Sequence, residues 1–481
     1  MKRIFYSICL IALGFTFMPA RTYAQEFPIA IGSDTTFPGG GAFDGTNFMM
    51  GIAGDATSKD NITAQLFSPN GSLVGPRISL GKKGGAIQLA FDGTNYLVVW
   101  KGYNWNPFTQ EPHDTTSIFG QFISPSGNLT GPSFTIATGT DNKHSGNLIF
   151  NDTTYLITYL KGGKHVNYLY GQRISKTGAM IGAPVKISEN YAREAAIEFD
   201  GTNFLVAWVE GSGFPNDKIV SAQFLSKTGG LVGTNFIVDG GNQLSDNPIA
   251  IAFDGSRYLI AFHEQASDTF SRWNLYGRFI TTTGNVDPIR ITICDSTQYP
   301  FLPSIGFDGE NYLLTWIENM NMFDSIQMKG RFFNKTGVPI APTFTIFGKL
   351  GNKIPIGGVS GFVNNQYLVG AVRVDNKFTN GDIYVKFIQN SSVGIIETQN
   401  RKLSFSIYPN PTADIVTLKL DNLNHSNLTV NIYNLTGTLV KTVKLHQNIQ
   451  QINVHDLVNG IYMVEIKSEE HTDVKKLIIN R

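Results

Sequence analysis

Disulfide bonding is the first thing this chain forgoes. Its 481 residues include only 2 cysteines, Cys9 and Cys294, and Cys9 falls in an N-terminal segment that reads as a leader. A single remaining thiol permits no intrachain bridge, so packing alone must hold the mature chain together, as it can at this length. Cys294 itself reads as a small buried hydrophobe rather than a nucleophile. Charge is also scarce, at 16% of residues against about 25% in an average soluble domain. The 38 basic and 37 acidic residues nearly cancel, which removes any bulk electrostatic drive toward nucleic acid or anionic lipid. Beyond residue 18 no apolar run approaches the length that spans a bilayer, so no transmembrane segment is expected in the mature chain. G-x-S-x-G, H-E-x-x-H, Walker and C-x-x-C signatures are all missing, and nothing calls for a cofactor or a metal.

The chain is rich in 50 Gly, 34 Phe and 18 Tyr, a composition that favours strands and turns over helices. Residues 1–24 read as a secretory signal peptide. Lys2 and Arg3 supply the positive start, Ile4 to Met18 the apolar core, and Thr22-Tyr23-Ala24 the cleavage site.

Internal repetition is the strongest signal. FDGTNFMMGI at Phe43 recurs as FDGTNYLVVW at Phe91, FNDTTYLITY at Phe150 and FDGTNFLVAW at Phe199. It returns as FDGSRYLIAF at Phe253, FDGENYLLTW at Phe307 and, most degenerate, FVNNQYLVGA at Phe362. Asp-Gly between two apolar runs signals a tight hairpin. A third strand such as Gly120–Ser124, a Thr-Gly or Ser-Gly turn and a fourth strand such as Ser133–Ile136 complete each unit. Small residues dominate just before each Phe, as expected where strands converge on an axis; Glu198 is the charged exception. Four antiparallel strands in seven units predict an all-β chain with a seven-bladed β-propeller over 25–390. The last unit lacks a fourth strand, and Phe27–Ile31 is expected to supply it, closing the ring.

The repeat stops after Ile388. A polar linker is expected over 391–403, then a small β-sandwich over 404–481 with half-buried strands around Leu428, Val430 and Ile432 and over Ile461–Ile466. Its ordered motifs are Tyr408-Pro409-Asn410-Pro411, Leu435-Thr436-Gly437, Asn459-Gly460-Ile461-Tyr462-Met463-Val464 and the ending Lys475-Lys476-Leu477-Ile478-Ile479. This segment resembles the type A C-terminal sorting domain of the type IX secretion system of Bacteroidota. The resemblance implies an Ig-like domain, with Tyr408, Pro409, Asn410, Pro411, Gly460, Tyr462, Lys475 and Lys476 forming the sorting motif. It also implies recognition by the outer-membrane translocon, removal by a sortase-like peptidase, and a cargo released or attached at the cell surface.

Activity must then be sought on the propeller. The Asp-Gly turns lie on one face, and the loops after the second strands and between blades lie on the other, the candidate binding face. The longest loop runs from Trp100 to Gly120 and carries Tyr103, Trp105, Phe108, Glu111, His113 and Asp114. Aromatics beside carboxylates suit a glycan, with rings pinning the loop as the plain alternative. Eleven residues after the repeat Phe, three successive blades present Glu210, Glu264 and Glu318, with His263 beside one of them. Such an arc could bind a cation, serve a hydrolase or lyase as general acid and base, or be a solvated row of strand-end charges. His144, Arg193, Glu194 and Asn247 fall near the axis. Asp44, Asp92, Asp200, Asp254 and Asp308 repeat in register with a turn glycine and are read as hairpin chemistry, not calcium ligands. Two expectations follow: a secreted or surface binding protein for a glycan or protein ligand, or an extracellular glycan-active enzyme using the acidic arc.

Overall fold

The computed structural model describes residues 25–31, 37–53, 61–105, 112–138, 142–162, 167–211, 218–240, 244, 248–265, 273–295, 300–319, 326–348, 354–374, 381–389, 405–420, 429–434, 438–445, 447, 449–467 and 472–481. The expected signal peptide and linker, Phe108, Glu111 and the Leu435–Gly437 motif lie outside them. All regular elements among the described residues are strands, and no helix is long and apolar enough to cross a membrane.

The chain divides into two compact units, Met1–Ser392 and Val393–Arg481. In the first, every repeat folds as four antiparallel strands. The seven first strands are Phe37–Phe43, the second half of Leu73–Phe91, Asn142–Phe150, Ala192–Phe199, Ala250–Phe253, Pro300–Phe307 and Ile354–Val363. Each contacts the first strand of the next unit, and the last contacts the first, so the ring closes at seven blades. Blades 1 and 2 share one continuous 19-residue strand, Leu73–Phe91, which leaves blade 1 as its outer strand and enters blade 2 as its inner one. The inner strands converge tightly. A Cβ on Gly39 would stand 2.6 Å from Cβ of Ile87 in the neighbouring blade.

Closure occurs where the missing fourth strand was expected. Phe27–Ala30 pairs antiparallel with Gly381–Ile388, placing Phe27 opposite Val385 and Ala30 opposite Ile383. Glu26 then reaches Arg373 at 2.7 Å and Lys386 at 3.2 Å, and both cations are almost fully buried.

At each turn between first and second strands, the repeat Phe packs on the aromatic residue five positions later. The seven ring pairs, from Phe43–Phe48 to Phe362–Tyr367, have centroids 4.6 to 5.0 Å apart. Cross-strand aromatic pairs of this kind stabilise a hairpin beyond the area they bury. Second strands are buried along nearly their whole length, led by Trp100, Trp208 and Trp316 at 0% exposure.

The second unit is a two-sheet sandwich. Phe405–Tyr408, Ile415–Leu420 and Ile449–Asn453 form one sheet. Leu439–Lys444, Thr429–Asn434, Gly460–Lys467 and Thr472–Ile479 form the other, in that order. Val430, Ile432, Tyr462, Val464 and Ile466 point into the shared core, while Ile461 and Met463 alternate outward, the pattern of a half-buried sheet. Leu428 lies outside the described residues.

Candidate functional site

First strands begin, second strands end and blades connect on the same propeller face. Toward that end the inner strands are bulged. The register slips between Pro38 and Gly41, Gly85 and Gln88, Arg193 and Ala195, and Phe301 and Ser304. Ala86, Glu194 and Leu302, each five residues before a repeat Phe, take φ of +50°, +24° and +53°. L-residues rarely adopt that conformation, and each such residue costs about 1–2 kcal/mol. Between the bulged strands lies a cavity of about 580 Å³ on the axis, walled by residues such as Gly40, Met50, Gln88, Leu148, Ser304 and Gly358.

The three arc carboxylates are all engaged by the scaffold. Trp208 and Trp316 occupy the same repeat position, and side chains two apart on a strand share a face. Glu210 accepts from the indole Nε1 of Trp208 at 3.2 Å and from Asn190 Nδ2 at 2.6 Å. Glu318 accepts from Nε1 of Trp316 at 3.0 Å, with Lys329 Nζ at 3.8 Å. Burial is the main cause of the raised pKa of Glu318; the indole donor and Lys329 oppose it. In blade 5 the equivalent aromatic is Phe262, which has no donor, and Glu264 instead accepts from Arg290. Arg290 and Arg278 both bind Asp239 of the preceding blade, Arg278 at 2.8 Å, which makes this cluster an interblade tie. Trp100 shows the converse: Gly102 stands where the glutamate would be, and the buried indole Nε1 has no hydrogen-bond partner among the described residues.

His263 lies in the core at 2% exposure, and neither ring nitrogen has a hydrogen-bond partner among the described residues. Burial pushes its pKa down to about 3, so the ring is neutral at physiological pH. Tyr103, Trp105 and His113 sit on an outward extension of the second and third strands of blade 2, where Tyr103 pairs Thr116 and Trp105 pairs Pro112. Their side chains lie outside the described set. His144 and Arg193 hold one register position, six residues before Phe150 and Phe199, opposite Leu160 and Val209. That places them one step outside the bulges, at the axial rim of blades 3 and 4. Among the described residues no three of His, Cys, Asp and Glu converge as metal ligands would.

The Asp-Gly turns do what the residues imply, and more. Asp44 Oδ1 accepts from the amides of Thr46 and Asn47, both at 2.7 Å, and Asp92, Asp200, Asp254 and Asp308 repeat this. Each of these carboxylates also faces a tyrosine of the following blade, namely Tyr96, Tyr155, Tyr258, Tyr312 and Tyr367. Burial first, and then the carboxylate, hold those phenols above their ordinary range. Where the Asp position holds Asn151 or Val363, the next blade carries Phe204 or Phe48 instead. This coupling was missed in the sequence, although the alternation of Tyr and Phe five residues after the repeat Phe was its signal.

In the sandwich the sequence motifs meet on the final strand, Thr472–Ile479. Asn410 Oδ1 accepts from Ile478 N at 2.8 Å, and Asn410 Nδ2 donates to Lys476 O at 2.7 Å. Thr412 N donates to Ile478 O, and Asn480 N to Thr412 O, both at 2.9 Å. On the strand's other edge Tyr462 pairs Leu477 and Gly460 pairs Ile479. Lys475 stands over the Phe405 ring at 5.5 Å. Arg481 donates to the carbonyls of Ala413, Val454 and His455 and to Asp414, which pins the end of the chain.

Seven closed blades followed by a sandwich define a β-propeller protein with a C-terminal accessory domain. Residues 406–480 match the family described as Secretion system C-terminal sorting domain. The chain is a type IX secretion substrate, exported to the cell surface or the extracellular space. No curated protein matches the chain. Among solved structures it is similar to the β-propeller domain of the Trilobed protease from Pyrococcus furiosus, at 11% identity and TM-score 0.44, covering 75% of this chain and 100% of that one. It is also similar to polysaccharide lyase Uly1, at 9% identity and TM-score 0.47, covering 77% and 94%. A third likeness is to the α-L-arabinanase of Penicillium chrysogenum, at 10% identity and TM-score 0.40, covering 63% and 92%.

Proposed function

We infer that the propeller is a non-catalytic binding module for a glycan or protein ligand. The sorting domain delivers it to the translocon, and a sortase-like peptidase removes that domain after export. The ligand is taken on the face where second strands end and blades connect, around the axial mouth flanked by His144 and Arg193 and under the blade 2 extension bearing Tyr103 and Trp105.

One observation carries this reading over a glycoside hydrolase. Acid–base cleavage of a glycoside needs two carboxyl groups aimed at one substrate, about 5–10 Å apart. Glu210, Glu264 and Glu318 are instead bonded to Trp208, Arg290 and Trp316, in the fabric of three separate blades. The test is a glycan array probed with the secreted full chain, each hit being followed for product over time. Binding without turnover, unchanged in kind by Glu318→Gln, is expected. Oligosaccharide release that Glu210→Gln, Glu264→Gln or Glu318→Gln abolishes would make the propeller an enzyme.

A further inference from the structure

The axial cavity has a chemical character that narrows what can enter it. Its volume of about 580 Å³ lies in the range of small-molecule sites. Its walls are the middle segments of the inner strands, two to five residues before the repeat Phe, from blades all around the axis. None of the side chains that line it, among the described residues, is ionisable. The polar side chains are Gln88 and Ser304, and aliphatic surface such as Ile87, Leu148 and Leu302 makes up much of the rest. A charged ligand would shed its hydration there without a counter-charge, which is heavily unfavourable.

The backbone adds a second constraint. Every inner strand is the edge strand of its blade, so part of its amide and carbonyl groups point at the axis rather than into a sheet. The bulges at blades 1, 2, 3, 4 and 6 turn further backbone out of register in the same region. Hydrogen-bonding groups are thus spread around the circumference of an otherwise aliphatic shaft. An extended peptide offers its amides along two edges only. A sugar ring offers hydroxyls around its whole rim, each both donor and acceptor, and apolar C–H faces between them.

We propose that the axial cavity is the binding subsite for a short, uncharged saccharide. This rests on the reading of the propeller as a binding module and specifies where that module grips and what it rejects. The test uses the full secreted chain on an array that pairs neutral oligosaccharides with uronate- or sialate-bearing counterparts, with titration calorimetry on every hit. Ala53→Trp fills the cavity and Gln88→Leu removes the larger of its two polar side chains without adding bulk, so one stands in if the other fails to fold. Trp105→Ala probes the loop separately.

The expected result is at least one neutral saccharide bound tenfold or more tighter than its acidic counterpart. Ala53→Trp and Gln88→Leu should each weaken it tenfold or more at an unchanged unfolding midpoint. Hits confined to acidic glycans would overturn the proposal, as would an array with no hit. Saccharide binding that survives both cavity variants but is lost in Trp105→Ala would also overturn it, while leaving the binding function intact. Capture of a purified protein ligand without any glycan would have the same effect.

Discussion

The phenol of Tyr367 donates to the carbonyl of Asn311 in the preceding blade at 2.8 Å, beside the carboxylate of Asp308. The same reach links Tyr96 to Asn47 at 2.9 Å and Tyr155 to Asn95 at 3.4 Å. Hairpin turns that look local are therefore also the points where blades grip one another. Tyr367→Phe keeps the ring against Phe362 and deletes only the hydroxyl, so the Asn311 carbonyl loses its interblade donor and keeps the bond from Asp308 N at 3.0 Å. A loss of about 1 kcal/mol is expected, read as a lower denaturant midpoint at unchanged slope. The natural phenylalanines at Phe204 and Phe48 show that the ring alone is compatible with the blade.

Glu198, the charged exception at the inner-strand position, should make stability depend on pH. Burial raises its carboxyl to about 7, opposed by the amide of Phe199, and it lies near enough to Tyr258 to disfavour ionisation of that phenol. The folded state thus holds a proton that the unfolded chain releases near pH 4.5. Its contribution is most favourable below pH 4.5 and is lost as pH rises through 7. Glu198→Gln should be level with the parent at pH 4 and more stable by about 1–2 kcal/mol at pH 8, after discounting for its partial exposure. Denaturation midpoints at the two pH values decide it, and equal differences at both would refute the assignment.

Much of the fold was legible because its signals repeat. Seven copies of one hairpin averaged out the ambiguity of any single strand, and the missing fourth strand of the last unit pointed to Phe27–Ala30. The candidate site was less legible. Glu210, Glu264 and Glu318 align in register, and the two-residue period sets two of them on the face of a tryptophan, but sequence does not show that the indole and carboxylate bond there. Nor does it show that the third meets Arg290, 26 residues downstream. The bulges were hidden too, since a register slip of one residue leaves apolar alternation nearly unchanged. Their trace is the cluster of Gly and Pro in Phe37–Phe43 and Pro300–Phe307.

Glu318→Ala tests whether that carboxylate belongs to the scaffold. It would strand the indole of fully buried Trp316, the condition Trp100 already shows opposite Gly102. A cost of about 1–3 kcal/mol is expected, with ligand binding unchanged at temperatures where the variant stays folded. Glu318→Gln keeps an acceptor for the indole and should recover most of the loss. Binding or turnover that disappears in the glutamine variant at full stability would place Glu318 in the site instead.

Ring closure depends on a buried cation. Arg373 is 4% exposed and bonded to Glu26 at 2.7 Å, so Glu26→Ala would leave a guanidinium buried without its carboxylate. About 3–5 kcal/mol is the usual penalty for breaking such a pair. Lys386 at 3.2 Å would lose the same partner; its pKa is already lowered by burial, with Glu26 holding it up. Blade 7 should then become the least protected part of the propeller in hydrogen exchange, beginning at Gly381–Ile388. Arg373→Met, which removes the charge along with its partner's need for it, should cost less than Glu26→Ala.

The sorting motifs make a prediction that separates recognition from support. Asn410 bonds the final strand twice, through Ile478 N and Lys476 O, and Thr412 continues along the same edge. If the translocon reads the final strand itself, the Asn410 side chain matters only through holding that strand in place. Asn410→Ala removes both bonds and should lower sandwich stability by about 1–2 kcal/mol and reduce the exported fraction in step. Asn410→Asp keeps the acceptor for Ile478 N but loses the donor to Lys476 O, and should fall between. Lys476→Ala leaves the backbone carbonyl, and with it the Asn410 bond, in place, so its stability should match the parent. Export measured as the ratio of surface and extracellular to periplasmic protein should then follow sandwich stability across the Asn410 variants. A stable Asn410 variant that fails to leave the periplasm would instead make that side chain part of what the translocon contacts.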